Sequence, residues 1–164
     1  MNIHEPIAVG WREWIALPDL SIESIKAKVD TGARTSALHA FDVQAFEKNN
    51  ALWVRFGVHP QQRDTKKEVW CESKVLDQRE VTDSGGHTEL RYVIETTVSL
   101  GEKAWRIEMT LTNRDNMLFR MLLGRTALSA GNIVVNPTLS YLSGQTLTKP
   151  IQDSKQENLE GETE

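Results

Sequence analysis

Short segments in which apolar and polar residues alternate fill most of the first 144 positions of this 164-residue chain. Alternation with a period of two places successive side chains on opposite faces of a strand, so each segment predicts a half-buried β-strand. Only residues 126–130 and 36–40 have a helical pattern. The predicted strands cover residues 7–14, 25–30, 38–46, 52–58, 69–76, 90–100, 104–111 and 121–124. Closely spaced strands without helical crossovers predict an all-β sandwich or barrel with one short helix near its C-terminal end.

One turn in this pattern is specific enough to predict a hairpin. Gly101-Glu102-Lys103 separates two runs that are rich in β-branched residues. A short glycine-containing turn between two such runs is typical of two antiparallel neighbours.

Residues 145–164 differ in composition from the rest of the chain. They are polar, contain Pro150, and include Glu157, Glu160, Glu162 and Glu164 near their end. A segment of this kind buries too little apolar surface to offset the entropy lost on ordering. We therefore expect one folded domain over residues 1–144, followed by a disordered acidic tail.

Composition narrows the classes of function. No apolar run approaches the ~20 residues that span a bilayer, and the start of the chain lacks the basic and apolar regions of a secretory signal. The lone cysteine, Cys71, allows no intrachain disulfide and fits a reducing compartment. A net charge of −4 argues against binding to a phosphate backbone. We expect a cytoplasmic protein that binds neither membranes nor nucleic acids.

The stretch IKAKVDTGARTSALHA carries the strongest chemical signal. Apolar and small residues lead along a strand to Asp30, and Thr31-Gly32-Ala33 then turns the chain. Glycine allows the backbone to approach closely, so that N–H groups can point at the Asp30 carboxylate. Asp-Thr-Gly is also an ordinary turn sequence, and the triplet alone does not identify a catalytic site.

Two further motifs follow Asp30 in the chain. Asp83-Ser84-Gly85-Gly86-His87 forms a glycine-rich tip between strand-like segments, which would suit a flap that closes over a ligand or a plain turn. In Leu122-Leu123-Gly124-Arg125, a glycine follows buried apolar residues and precedes the short helical run, which indicates a close backbone approach or an ordinary strand end.

In this order, the three motifs resemble the retropepsin family, the homodimeric aspartic proteases of retroviral type. The segments GWREWIALP, KVDTGARTSALHA and MLLGR are similar to a bacterial and archaeal branch that is often labelled ATP-dependent zinc protease. Members of that branch often occur beside ATP-grasp enzymes that ligate glutamate. The resemblance spans about residues 7–135 and implies a closed retropepsin-like (acid protease) barrel.

The resemblance also implies a mechanism that needs two copies of the chain. Aspartic peptidases use two carboxylates that share a proton, whereas this chain has one Asp-Thr-Gly. A two-fold homodimer would supply the second Asp30, with Thr31 and Gly32 completing each catalytic turn. Because Ala33 has no hydroxyl to stabilise a carboxylate, we expect activity closer to neutral pH than in a serine-containing enzyme.

Arginines near the predicted cleft suggest an acidic substrate. Relative to retroviral enzymes, the charges at Glu13 and Arg34 look exchanged, so the two could pair between protomers. Arg125 would add positive charge near the cleft, as Arg79 and Arg91 would beside the flap. The predicted substrate-binding residues are Ala33, Arg34, Ser84, Gly85, Gly86, Arg91 and Arg125. A peptide or a polyglutamylated protein would provide matching carboxylates, although solvated surface pairs would also explain these arginines.

The sequence thus favours an aspartic endopeptidase that hydrolyses peptide or glutamate-linked amide bonds, with a functional link to an ATP-grasp ligase. The main alternative is a non-catalytic module that keeps the cleft to bind an acidic peptide or partner protein. A metallopeptidase is a third hypothesis, but the chain lacks HExxH, and His4, His39, His59 and His87 are scattered. We expect neither a metal nor a cofactor.

Overall fold

The computed structural model describes residues 5–62, 64–113 and 118–144, so the disorder expected for residues 145–164 falls outside the described chain. Within these ranges the protein is predominantly β, with eleven strands and a single six-residue α-helix. The elements are β1 (Ile7–Val9), β2 (Arg12–Leu17), β3 (Ile22–Asp30), β4 (Ser36–His39), β5 (Phe41–Lys48), β6 (Ala51–Val58), β7 (Val69–Thr82), β8 (Thr88–Leu100), β9 (Lys103–Thr112), β10 (Met121–Gly124), α1 (Arg125–Ala130) and β11 (Ile133–Val135). A 3-10 turn at Pro18–Leu20 joins β2 to β3.

Nine of the strands form one hydrogen-bonded sheet in the order β2-β3-β10-β4-β9-β8-β7-β6-β5. One further pairing, between Ala16 and Ser99, joins β2 to β8. Strands β1 and β11 form a separate parallel pair. In the described part of the chain, no helix is long and apolar enough to cross a membrane.

The core is built from alternate positions of these strands. In β9, for example, Ile107, Met109 and Leu111 are buried, whereas Arg106 is exposed and Glu108 is half-buried. Removing these apolar side chains from water is the main favourable contribution to folding. The period of two therefore positions both the core and the polar residues that face away from it.

The predicted β8–β9 hairpin is confirmed. Leu100 pairs with Lys103, and Gly101 adopts the left-handed φ of 59° that glycine accommodates without strain. The predicted strand over residues 7–14 is interrupted at Gly10. A Cβ there would lie 2.0 Å from the Leu139 carbonyl oxygen.

The prediction of a helix at residues 36–40 was wrong. Ser36–His39 is strand β4, which pairs with β9 on one side and with β10 on the other. All four of its residues are buried. A short, fully buried segment has no polar face, so its periodicity cannot distinguish a strand from a helix.

Candidate active site

Asp30 is the last residue of β3, where the strand leaves the core. Its Oδ1 accepts hydrogen bonds from the backbone N–H groups of Gly32 at 3.0 Å and Ala33 at 3.2 Å. A Cβ at Gly32 would lie 3.3 Å from the same oxygen, which would crowd this turn. Within the described ranges, Asp30 Oδ2 accepts from no donor. The turn thus fixes one carboxylate oxygen and leaves the other available.

Strand β10 lies between the two strands that flank the Asp30 turn. It pairs in parallel with β3, where Gly124 is opposite Asp30, and antiparallel with β4. The close approach predicted at Gly124 is confirmed, because a Cβ there would lie 2.6 Å from the Thr35 carbonyl carbon. The Gly124 N–H also donates to Ser36 Oγ at 2.9 Å.

The start of α1 holds the far side of the same turn. The backbone N–H of Arg125 donates to the Ala33 carbonyl oxygen at 2.8 Å, and that of Thr126 donates to the Arg34 carbonyl oxygen at 3.0 Å. Arg125 also donates through Nη1 to the Thr31 carbonyl oxygen at 3.0 Å. Arg125 therefore holds the turn through both its backbone N–H and its guanidinium, and its role in substrate binding stays a prediction.

The predicted flap is the loop between β7 and β8. Asp83 organises its tip, because its Oδ1 accepts from the backbone N–H groups of Gly85 and His87, both at 2.9 Å. Gly86 has a φ of 85°, a backbone conformation that is unfavourable for residues other than glycine. The tip is exposed, and its shape is set by the Asp83 carboxylate.

A cleft of about 1120 Å³ separates the flap from the Asp30 turn. Six predicted site residues line it, whereas Thr31, Gly85, Gly86 and Arg125 lie outside its lining. The lining six are Asp30, Gly32, Ala33, Arg34, Ser84 and Arg91. The fold therefore brings the Asp30 turn, the flap and two of the predicted arginines to one cavity.

The expected excess of positive charge is absent from the described lining. Arginines at positions 34, 79, 91 and 106 are matched in number by Asp30, Glu80, Asp83 and Glu108. Arg106 pairs with Asp19 at 2.6 Å and with Glu95 at 3.1 Å. Arg34 is exposed and has no carboxylate partner in the part of the chain that the structure covers.

Arg79 is held by two carboxylates, with Glu108 at 2.6 Å and Asp77 at 2.8 Å. The hydrogen bond that Arg79 donates to Glu108, followed by the one it donates to Asp77, raises the pKa of Arg79 above its usual value. In turn, the Arg79 hydrogen bond is the main cause that lowers the pKa of Asp77. Two carboxylates therefore already balance the positive charge of Arg79 at the cleft wall, which leaves this arginine less suited to binding a substrate carboxylate.

Arg91 belongs to a buried polar cluster that the sequence did not reveal. Its side chain is 8% exposed, and it donates to Glu89 at 2.7 Å and to Thr110 Oγ1 at 3.3 Å. Thr110 donates on to the Ser36 carbonyl oxygen, and Thr112 donates to Glu89. The only sequence signal was the alternation of polar residues along β9, which does not say which face meets a cleft.

A model of the RimB-like family, described as retropepsin-like aspartic endopeptidase RimB, matches residues 8–146. The chain belongs to this family. The match includes the Asp30 turn, the flap and the Gly124 segment, which are the three motifs that gather around the cleft.

Curated relatives of this RimB-like chain carry a different name. It is 47% identical over 137 residues to a probable alpha-L-glutamate ligase of Shewanella halifaxensis, covering 84% of this chain and 30% of that protein. A protein of the same name from Parasynechococcus marenigrum is 50% identical over 138 residues, covering 84% and 29%. The chain thus spans about a third or less of the length of these relatives.

A solved structure supports the same fold. The Legionella pneumophila protein Lpg0085, of unknown function, superposes on this chain with a TM-score of 0.71 and 29% sequence identity. The match covers 83% of this chain and 97% of that one.

In this RimB-like chain, the expected pair between Glu13 and a partner's Arg34 was wrong. Glu13 is fully buried, and its carboxylate accepts from the backbone N–H groups of Gly10, Leu142 and Ser143 at 2.7–3.0 Å. Pairing with another protomer would require breaking these bonds. Glu13 instead fastens residues 142–143 to the start of β2.

The described histidines are dispersed. His39 is buried in β4, His59 stacks on Phe41 with ring centroids 4.3 Å apart, and His87 is at the flap tip. Among residues 5–62, 64–113 and 118–144, no three His, Cys, Asp or Glu side chains are grouped so that they could hold a metal ion.

Proposed function

We propose that this chain is one protomer of a homodimeric aspartic endopeptidase that hydrolyses peptide or glutamate-linked amide bonds. The observation that carries the proposal is the setting of Asp30. Its carboxylate is anchored through one oxygen by its own turn, and it faces a large cleft with a flap on the opposite side. Membership in the RimB-like family supports the same chemistry.

A second Asp30, from a two-fold related copy, completes the site in this proposal. The ionised carboxylate of the pair takes a proton from water, whose oxygen then forms a bond to the scissile carbonyl carbon. The protonated carboxylate donates to the carbonyl oxygen, which gives a tetrahedral diol. The carboxyl group that took the proton from water then passes it to the amine nitrogen as the C–N bond breaks, and a diol hydroxyl returns its proton to the pair. Thr31, which is exposed, lies beside Asp30 where it could bond across the two-fold axis.

We also infer that six strands form a closed barrel. These six are consecutive in the main sheet, in the order β2-β3-β10-β4-β9-β8, and the pairing of Ala16 with Ser99 links the first of them to the last. Closure would hold the Asp30 turn and the base of the flap at fixed positions relative to each other. In a closed barrel every strand is hydrogen-bonded on both sides, so no edge is free to move apart.

One cation of the charge-balanced cleft lining is open to an acidic substrate. Arg34 lines the cavity, and no described carboxylate neutralises it. Because the relatives are named glutamate ligases, we propose that a glutamate-bearing peptide or protein is the substrate and that the chain acts in connection with an ATP-grasp ligase. Acidic peptides should be cleaved faster than neutral peptides at low salt, and equal rates would contradict this assignment.

The second candidate is a non-catalytic module that binds an acidic peptide or partner protein in the same cleft. It is favoured by the relatives' names, which describe a ligase rather than a peptidase. A module of this kind would bind glutamate-rich peptides without cleaving them.

Two measurements test the proposed function. Sedimentation at micromolar concentration, and again after dilution, should detect a dimer. Asp30→Asn should abolish cleavage of glutamate-rich peptides, whereas Asp42→Asn should not, because Asp42 is an exposed residue outside the cleft lining.

Each contrary outcome points to a different function. A strict monomer in the presence of peptide would leave Asp30 without a second carboxylate. Cleavage that survives Asp30→Asn but is lost on chelation would favour a metallopeptidase. Tight binding without cleavage by the wild-type chain would favour the binding module.

A further inference from the structure

The three-stranded extension β5–β6–β7 has an outer face that is unusually aromatic. Cross-strand partners lie on the same face of a sheet, and the register aligns Phe46 with Trp53 and Lys74, and Gly57 with Phe41 and Trp70. We call the surface formed by Phe41, Phe46, Trp53, Arg55, Trp70 and Lys74 the aromatic face.

The opposite side of the same sheet packs into the core. Val54, Phe56 and Val58 alternate with the aromatic-face residues of β6, and all three are fully buried. The aromatic face is therefore the solvent side of this sheet, which in antiparallel sheets is normally polar. Trp70 is 41% exposed.

Two rings of the aromatic face, Phe41 and Trp70, hold each other in place. Phe41 meets Trp70 edge to face at 5.2 Å, and the Arg55 guanidinium lies 4.4 Å from the Trp70 ring centroid. The Phe41 ring also lies against the bare backbone of Gly57, where a Cβ would approach it to 2.3 Å. A preorganised aromatic surface loses little side-chain entropy on binding a partner.

The charge of this surface is opposite to that of the whole chain. Two further residues share this side of the sheet, since Lys48 Nζ lies 4.6 Å from the Trp53 ring centroid and Glu72 is opposite Arg55. Lys48, Arg55 and Lys74 outnumber Glu72, which pairs with Lys48 at 3.9 Å. The whole chain has a net charge of −4. Aromatic residues and arginine are also the side chains most enriched at protein interfaces.

We propose that the aromatic face is a docking site for an acidic polypeptide segment. Carboxylates of that segment pair with Arg55 and Lys74, and its apolar side chains pack on Trp53 and Trp70. Three cations with a carboxylate among them suit a mixed acidic and apolar chain better than a continuous phosphate backbone. A second copy is disfavoured, because a two-fold contact would place two positive faces together.

Strand β7 connects this face to the flap. Trp70 lies near its start and Arg79 lies on the cleft wall, nine residues further along. At 3.3 Å per residue, the two are roughly 30 Å apart along the strand. Docking here would therefore favour long polypeptides over short peptides, whatever the chemistry at Asp30.

The test measures binding by fluorescence anisotropy in an Asp30→Asn background, so that cleavage does not enter. The probe is a labelled peptide of alternating glutamate and leucine, and the matched probe replaces glutamate with glutamine. Arg55→Ser combined with Lys74→Ser should weaken binding of the acidic probe about tenfold, as should Trp70→Ser. Lys28→Ser removes an exposed lysine from β3 and should leave affinity unchanged.

Further expected results separate charge from folding. Arg55→Lys should retain most of the wild-type affinity, and binding should weaken as salt is added. Thermal unfolding of each variant shows whether the sheet is intact, and the double charge variant keeps the test decisive if Trp70→Ser unfolds.

Several outcomes would overturn the proposal. The first is unchanged affinity for the acidic probe in the aromatic-face variants, and the second is equal affinity for the glutamine probe. The third is that single-stranded oligouridylate binds more tightly than the acidic probe and that the same variants abolish this binding. Self-association that is lost in Trp70→Ser would assign the face to a second copy. If Arg34→Ala weakens binding and the aromatic-face variants do not, the acidic peptide binds in the cleft. That result rejects the docking site and leaves the proposed function intact.

Discussion

The Arg125 guanidinium donates through Nη1 to the carbonyl oxygen of Thr31 at 3.0 Å, so the first residue of α1 holds the turn that carries Asp30. Two backbone hydrogen bonds from the start of α1 to residues 33 and 34 support the same turn. The position of the carboxylate therefore depends on a segment about ninety residues later in the chain.

Replacing Arg125 tests this dependence. In Arg125→Met we expect kcat for glutamate-rich peptides to fall about tenfold with little change in KM, since a loosened turn misplaces Asp30 without altering substrate contacts. Arg125→Lys should retain part of the activity, because an ammonium group can still donate to the Thr31 carbonyl. A higher KM at unchanged kcat would instead assign Arg125 to substrate binding.

Gly124→Ala should destabilise the fold by about 1–3 kcal/mol, because the new Cβ would overlap the backbone of Thr35. Urea unfolding measures the change in free energy. Gly85→Ala is the matched control, since its Cβ would meet no described atom closer than 3.4 Å. Equal stability of the two variants would contradict the close packing of β10 against β4.

Ala33→Ser should move the pH profile of peptide cleavage to lower pH by about one unit. The Ala33 N–H already donates to Asp30 Oδ1 at 3.2 Å, so a hydroxyl here is placed to add a hydrogen bond to the charged carboxylate. Ala33→Val adds bulk without a hydroxyl and should leave the optimum where it is. An unmoved profile in Ala33→Ser would reject this role of residue 33.

Cys71 should resist alkylation in the folded protein. Burial raises the pKa of its thiol to about 12, and the side chain is 4% exposed. Iodoacetamide at about pH 8 should modify it slowly in buffer and rapidly in denaturant, as followed by mass spectrometry. Fast native labelling would show that the β6–β7 sheet opens readily.

The same shift gives a direction for alkaline stability. Because the folded thiol has the higher pKa, its contribution to stability is complete below the unfolded value near 9 and is lost as pH rises towards 12. Replacing Cys71 with serine should remove this part of the alkaline dependence, as measured by urea unfolding at several pH values.

Local sequence determined several of the strands and turns. The period of two in residues 52–58, 90–100 and 104–111 predicted β6, β8 and β9 closely, and the glycine turn predicted their hairpin. The Asp-Thr-Gly-Ala turn also follows from local chemistry, since Asp30 Oδ1 is bound by N–H groups two and three residues later. Interactions of this kind are encoded within a few residues and can be predicted from sequence.

Tertiary structure decided which side chains share a site and which are buried. Arg91 lines the cleft within a polar cluster from β8, β9 and β4, and Glu13 binds the backbone of residues 142–143, some 130 positions away. Residues 36–39 form a strand because β9 and β10 pair with them on both sides. These outcomes depend on partners that are distant in the chain, which local periodicity does not specify.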